Sequence, residues 1–147
     1  MKIAIAYFSG YHGNTKKLLD AIVGLSDITL IDVVNCKEFN LSNYDIIGFA
    51  SGIYFGSFNK KVLKFAENNL PNDKQVFLIH TYGVKGNYTK EIKKIIKEKN
   101  CKLLGIYGCR GFDTFGPFKL IGGIAKGHPN AKDIDGAISF FKKIIEK

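Results

Sequence analysis

The chain has 147 residues, 46% hydrophobic and 24% charged, which suits one soluble domain over 1–147 with a sizeable core. Its apolar runs fall short of the roughly 20 residues that span a bilayer, and MKIAIAYFSG is too short in apolar length for a secretory signal, so a cytoplasmic location without a membrane is expected. The net charge of +9 is nearly all lysine, with no zinc-finger, helix-turn-helix or RNP signature, so an anionic ligand or acidic partner is expected and nucleic acid is not.

In chain order, the apolar run IAIAYF (3–8) reads as a strand and leads into the small, donor-rich row SGYHGNT (9–15). A helical pattern, TKKLLDAIVG (15–24), precedes a second strand, ITLIDVV (28–34). Only NCKEFNLSNY separates this from the strand DIIGFAS (45–51), close to the minimum for a parallel crossover, and KEFNLSNY is expected to form one short helical turn. The loop GIYFGSF (52–58) and the helix NKKVLKFAENNL (59–70) follow, then the strand QVFLIHT (75–81) and the loop TYGVKGNY (81–88). YTKEIKKIIKEK (88–99) alternates Lys and Glu around an Ile seam, the pattern of a helix with a solvated face. The strand LLGIYG (103–108), the loop CRGFDTFGPF (109–118) and the helix DIDGAISFFKKII (133–145) close the chain; Asn130 is the expected cap, with Asp133 three residues on.

The strands carry apolar side chains at both odd and even positions, as strands covered on both faces do. Their alternation with helices predicts an α/β fold: three layers around a doubly wound, five-stranded parallel sheet of order 2-1-3-4-5. Ligands of such sheets bind beyond the carboxyl ends of the strands. The loops expected there are rich in Gly, Tyr, Phe, Ser and Thr and poor in carboxylates, whereas PNDKQ (71–75) at the opposite end is an ordinary polar turn.

Ser9, Asn14 and Thr15 offer side-chain donors beside the positive end of a helix, a combination that suits a phosphate; Gly10 and Gly13 permit close backbone approach. The competing reading is a plain helix cap. The row is neither GxxxxGK[ST] nor GxGxxG, and Asp32 is the nearest candidate for the ribose-binding acid of a dinucleotide domain. Tyr54, Phe55, Tyr82, Tyr88 and Phe112 are expected around the same mouth, where they either stack on a flat ligand or pad the loops. Cys36, Cys101 and Cys109 form no metal or disulfide pattern, and Cys109 is either a reactive thiol or a small packed hydrophobe. His12, His80 and His128 are scattered and build no catalytic set with a nucleophile or carboxylate pair; His80 reads as a core residue.

SGYHGNT, YDIIGFASGIYFGSF and VFLIHTYG, in this order and spacing, resemble the flavodoxins across essentially the whole length, with one extra residue between Gly10 and Gly13. The IYFGS portion is especially similar to the flavin-contacting loop of FMN-reductase-type relatives. The resemblance implies non-covalent FMN cycling between oxidised, semiquinone and hydroquinone forms. It places Ser9, Tyr11, His12, Gly13, Asn14 and Thr15 at the phosphate, with Ser51 adding a hydroxyl. Gly52, Ile53, Tyr54, Phe55 and Gly56 would flank one face of the ring. Thr81, Tyr82, Gly83 and Gly86 would line the other, with Phe112 a further contact.

Two departures from the flavodoxin pattern stand out. The protein is basic where flavodoxins are acidic, and Lys85 stands where small or acidic residues are expected, so easier reduction follows on electrostatic grounds. His12 lies in the phosphate loop, either adding charge when protonated or standing exposed and neutral. The implied function is electron transfer through FMN, with redox partners, acidic ones among them, docking transiently at the flavin edge. The alternative is an FMN-dependent NAD(P)H reductase of quinones, azo or nitro compounds, and a flavin-free binding module is a third class.

Overall fold

The computed structural model describes residues 1–112 and 125–146. Six strands form its sheet: β1 (Lys2–Phe8), β2 (Asp27–Asp32), β3 (Ile46–Tyr54), β4 (Ser57–Phe58), β5 (Gln75–Tyr82) and β6 (Lys102–Arg110). The helices are α1 (Asn14–Ile22), α2 (Lys60–Asn69), α3 (Lys90–Glu98) and α4 (Ala131–Ile145). Five strands run parallel in the order β2-β1-β3-β5-β6, the expected 2-1-3-4-5 arrangement, and β4 folds back antiparallel on β3.

Side-chain alternation along the strands makes two cores. Ala4 and Ala6 of β1, Ile47 and Phe49 of β3, and Val76 and Leu78 of β5 face α2 and α3. Ile3, Ile5, Ile46, Ala50, Phe77 and Ile79 face α1 and α4. Gly48 lies between Ile5 and Phe77 in register, and a Cβ there would stand 2.4 Å from the Phe77 ring. Its lack of a side chain is what admits that ring to the second core.

The helix boundaries follow local chemistry. Asn130 accepts from the Asp133 N–H at 2.9 Å while the Asp133 carboxylate accepts from the Asn130 N–H at 2.8 Å, the anticipated capping box. Asn59 caps α2 by accepting from the Lys61 N–H at 2.8 Å. β2 stops two residues earlier than its apolar run because the Asp32 carboxylate accepts from the Val34 N–H and the Asn35 amide, turning the chain. Asp32 is therefore engaged in its own turn.

The connection from β2 to β3 keeps little of the helical turn expected from the sequence: within 37–44 the Tyr44 N–H donates to the Leu41 carbonyl at 3.1 Å, a single turn, and no helix forms. Asn69 at the end of α2 accepts from the Phe39 N–H and donates to the Lys37 carbonyl, at 3.1 and 2.9 Å. Asn40 accepts from both the N–H and the hydroxyl of Ser42, and the Lys74 ammonium donates to the Ser42 and Tyr44 carbonyls. These side chains take the backbone groups a helical turn would have used. Leu41 and Tyr44 are drawn into the core as an irregular connector.

The loop 52–58 is the second correction. Gly52, Ile53 and Tyr54 continue β3, and Phe55 and Gly56 form a two-residue hairpin turn before β4. Both turn residues have positive φ, 52° and 77°, as a type I′ hairpin requires. Of CRGFDTFGPF, the part from residue 113 onward lies outside the described residues.

Candidate functional site

At the carboxyl ends of β1, β3 and β5 the chain forms a cleft of about 520 Å³, its open mouth included. Ser9, Asn14 and Thr15 line it from the first loop and the start of α1; Gly52, Ile53 and Tyr54 come from the end of β3. Thr81, Tyr82 and Gly83 belong to the end of β5, and Phe112 to the segment after β6. Gly10 and Gly111 complete the wall. None of the described residues that line it carries a charge.

The first loop reaches the helix through left-handed backbone. His12 and Gly13 have φ of 62° and 64°, and Gly13, as the residue preceding α1, offers no side chain to the helix start. Ser9 acts from across the loop instead, its hydroxyl accepting from the Lys16 N–H at 3.0 Å. The nine-residue α1 thus begins with no side-chain cap from Gly13 and no acidic residue in its first turn. A helix start with no acid of its own is a setting suited to an anion.

Asn14 is clamped. Its amide nitrogen donates to the Phe112 carbonyl at 2.8 Å, and a Cβ on Gly111 would come within 2.6 Å of that nitrogen. The amide oxygen is buried with no hydrogen-bond partner among the described residues. A buried acceptor left open costs about 1–3 kcal/mol, so this wall matches a ligand carrying a hydroxyl or N–H. Thr15 and Thr81 share one hydrogen bond of 3.1 Å between hydroxyls that are 1% and 3% exposed as residues. One hydroxyl donates to the other, so one proton of the pair stays available to the cleft.

The aromatic walls pack on one another. Tyr54 meets Phe8 edge to face at 5.4 Å, and a Cβ on Gly10 would lie 2.9 Å from the Tyr54 hydroxyl. Gly10 therefore lets Tyr54 lie across the first loop. The row's glycines already pointed to close approach; Gly111 had no comparable signal, because its partner Asn14 is 97 positions away in sequence. The Phe112 ring stacks on His12 at 4.3 Å and 37°.

Several predicted site residues sit beside the cleft without lining it. Ser51 is fully buried; its hydroxyl donates to the Gly52 carbonyl and accepts from the Asn59 N–H, joining β3 to the start of α2. Phe55, 86% exposed, and Gly56 form the hairpin tip. Gly86 makes room for Tyr88, whose hydroxyl donates to the Val84 carbonyl. Tyr11, His12 and Gly13 form the turn that leads into α1.

Two titratable groups lie under this end of the sheet. His80 is 7% exposed between Phe58 and Tyr82, over Gly108, and burial pulls its imidazole down to about 4, so it is neutral. Burial, with the Asp133 charge adding to it, pushes the Cys109 thiol up to about 12, the state of a packed and unreactive cysteine. Among the described residues no group of three or more His, Cys, Asp or Glu gathers as a metal site, and no helix is long and apolar enough to cross a membrane.

Strand order and cleft together define a doubly wound α/β protein with a cleft at its topological switch point, where ligands of such sheets bind. A family model described as "Flavodoxin domain" matches residues 4–108. An uncharacterised protein of Methanocaldococcus jannaschii is 37% identical over 149 residues, covering 99% of both chains. The structure of oxidised flavodoxin 2 from Bacillus cereus superposes with a TM-score of 0.68 at 19% identity, covering 99% of each chain. A flavodoxin, WrbA-like protein from Agrobacterium tumefaciens gives 0.69 at 15% identity, covering 99% of this chain and 95% of that one. The chain belongs to the flavodoxin domain family.

Proposed function

We propose that the chain binds FMN non-covalently in this cleft and works as an electron-transfer protein. The observation that carries the reading is a cleft whose described lining holds no carboxylate, bounded by the start of α1, with no acid in its first turn, at one side and by Tyr54 and Tyr82 at the others. The residues fit the cofactor's chemistry. The first loop, Ser9 to Thr15, would hold the phosphate with N–H groups and hydroxyls; the open Asn14 oxygen would accept from a chain hydroxyl. The end of β3, Gly52 to Tyr54, and the segment Thr81, Tyr82 and Gly83 would flank the ring, with Phe112 beside them. FMN supplies one- or two-electron transfer when bound.

The protein's part is binding and potential. Lys17 and Lys60 stand in the first turns of α1 and α2, and Lys85 follows β5, all at the cleft end of the sheet. Positive charge there favours the more negative, reduced cofactor, which raises the potential relative to an acidic setting.

The test is the visible spectrum of protein purified without added flavin, followed by acid release of the chromophore. A yellow protein releasing FMN supports the reading. Colourless protein that takes up no added FMN overturns it. Steady-state NAD(P)H oxidation with a quinone then separates carrier from reductase, since a carrier turns over slowly and a reductase rapidly.

A further inference from the structure

The irregular connector after β2 leaves one flank of the sheet without a helix. There α2 and the turn after β2 enclose a groove with Val33 and Phe65 among its apolar lining, and with Lys37, Lys61 and Lys64 also lining it. Val34, 45% exposed, is part of the same lining. A second hollow, beside the hairpin tip, holds Tyr54, Phe55 and Leu63 and shares Lys61 with the first. One continuous surface therefore runs from the cleft residue Tyr54, past Phe55 and the first two turns of α2, to Val34.

Its charge is unbalanced. Lys37, Lys60, Lys61 and Lys64 are exposed, and the ion pairs among the described residues, Lys16–Asp20, Lys94–Glu98 and His128–Asp133, include none of them. Nearby Glu38 and Glu67 make no bridge to these lysines, and Glu91 accepts from the Ser57 hydroxyl. Lys60 and Lys61 occupy the first turn of α2, which has no acidic residue and where the helix dipole disfavours cations. The arrangement works against the helix and leaves the charge to an outside group.

We propose that this surface docks an acidic protein that inserts an apolar side chain between Val34 and Phe65 and sets carboxylates against the four lysines. The groove is concave with an apolar floor, which fits a side chain flanked by acids better than a phosphate backbone or a planar lipid surface. Docking does not require FMN; its position beside Tyr54 takes its meaning from the proposed cofactor site.

The experiment measures fluorescence anisotropy of a fluorescein-labelled peptide, one leucine flanked on both sides by glutamates, against the purified protein, with flavin content followed by absorbance in each sample. Lys37→Glu/Lys61→Glu/Lys64→Glu should weaken binding by about tenfold or more, and Val34→Ser by about threefold. The control Lys93→Glu/Lys94→Glu/Lys97→Glu, an equal charge change on the exposed face of α3, should weaken it by less than about threefold. Glutamate at 61 suits the helix start, so circular dichroism should show the first triple variant folded.

Equal losses in the two triple variants would reduce the effect to diffuse charge and overturn the proposal. So would wild type that ignores the peptide, or lysine-dependent binding to phosphatidylserine vesicles in its place. Peptide binding that persists in protein unable to take up FMN would leave the docking surface standing and overturn the cofactor site alone.

Discussion

The Thr15–Thr81 hydrogen bond gives the floor of the cleft a measurable signature. The two hydroxyls, 3.1 Å apart on residues that are 1% and 3% exposed, join the first turn of α1 to the end of β5. Replacing either threonine by valine keeps the shape but leaves the other hydroxyl buried without this partner, which costs about 1–3 kcal/mol. Replacing both removes both polar groups, and an apolar pair of the same shape is close to neutral. The singles should each lower the urea midpoint with an unchanged m value, and the double variant should recover most of the loss, a coupling of about 2 kcal/mol or more. The same double variant loses the spare proton, so it should bind FMN more weakly than wild type despite its recovered stability. Single effects that add to within about 0.5 kcal/mol would refute the reasoning, because they would mean the hydroxyls do not depend on each other.

Other consequences are equally direct. His80 has its folded-state pKa depressed to about 4 from an unfolded value near 6.5, so its neutral form contributes stability that is full above about pH 6.5 and falls as pH drops toward 4. Urea midpoints of wild type should decline over that window by more than those of His80→Leu; parallel declines would contradict the assignment. A Cβ on Gly108 would lie 2.5 Å from the His80 ring, so Gly108→Ala should cost about 1–3 kcal/mol in wild type and much less in a His80→Ala background. Cys109 should resist a thiol reagent in the folded protein and react fully in urea, whereas rapid native labelling at Cys109 would show that it is not the packed thiol its burial describes.

Legibility from the sequence followed the range of the forces involved. The five parallel strands, the four helices and the α4 capping box are set by side-chain alternation and by residues three apart, and all of them form in the order the pattern gave, with β2 ending two residues early and β3 three residues late. The segment 37–44 departs from its pattern, because Asn69 and Lys74, some 30 positions away, settle where its backbone groups bond. The hairpin at Phe55 and Gly56 was hidden for another reason: the usual signal is Asn or Gly at both positive-φ positions, and a phenylalanine occupies the first. In the cleft, ten of the residues expected there share its wall: Ser9, Asn14, Thr15, Gly52, Ile53, Tyr54, Thr81, Tyr82, Gly83 and Phe112. The hydroxyl of Ser51 is taken up by the Asn59 N–H and the space at Gly86 by the ring of Tyr88, both local contacts that the residue types alone do not signal.

The central claim, that this cleft is built for a phosphorylated flavin, meets its most direct test in a titration of flavin-free protein with FMN and, separately, with riboflavin, followed by flavin fluorescence. The N–H groups at the start of α1 and the Ser9 hydroxyl act on the phosphate, which riboflavin lacks, so FMN should bind at least about 100-fold more tightly than riboflavin, a difference of about 2.7 kcal/mol. Equal affinity for the two would contradict the account at its phosphate end, and binding of neither would contradict it entirely.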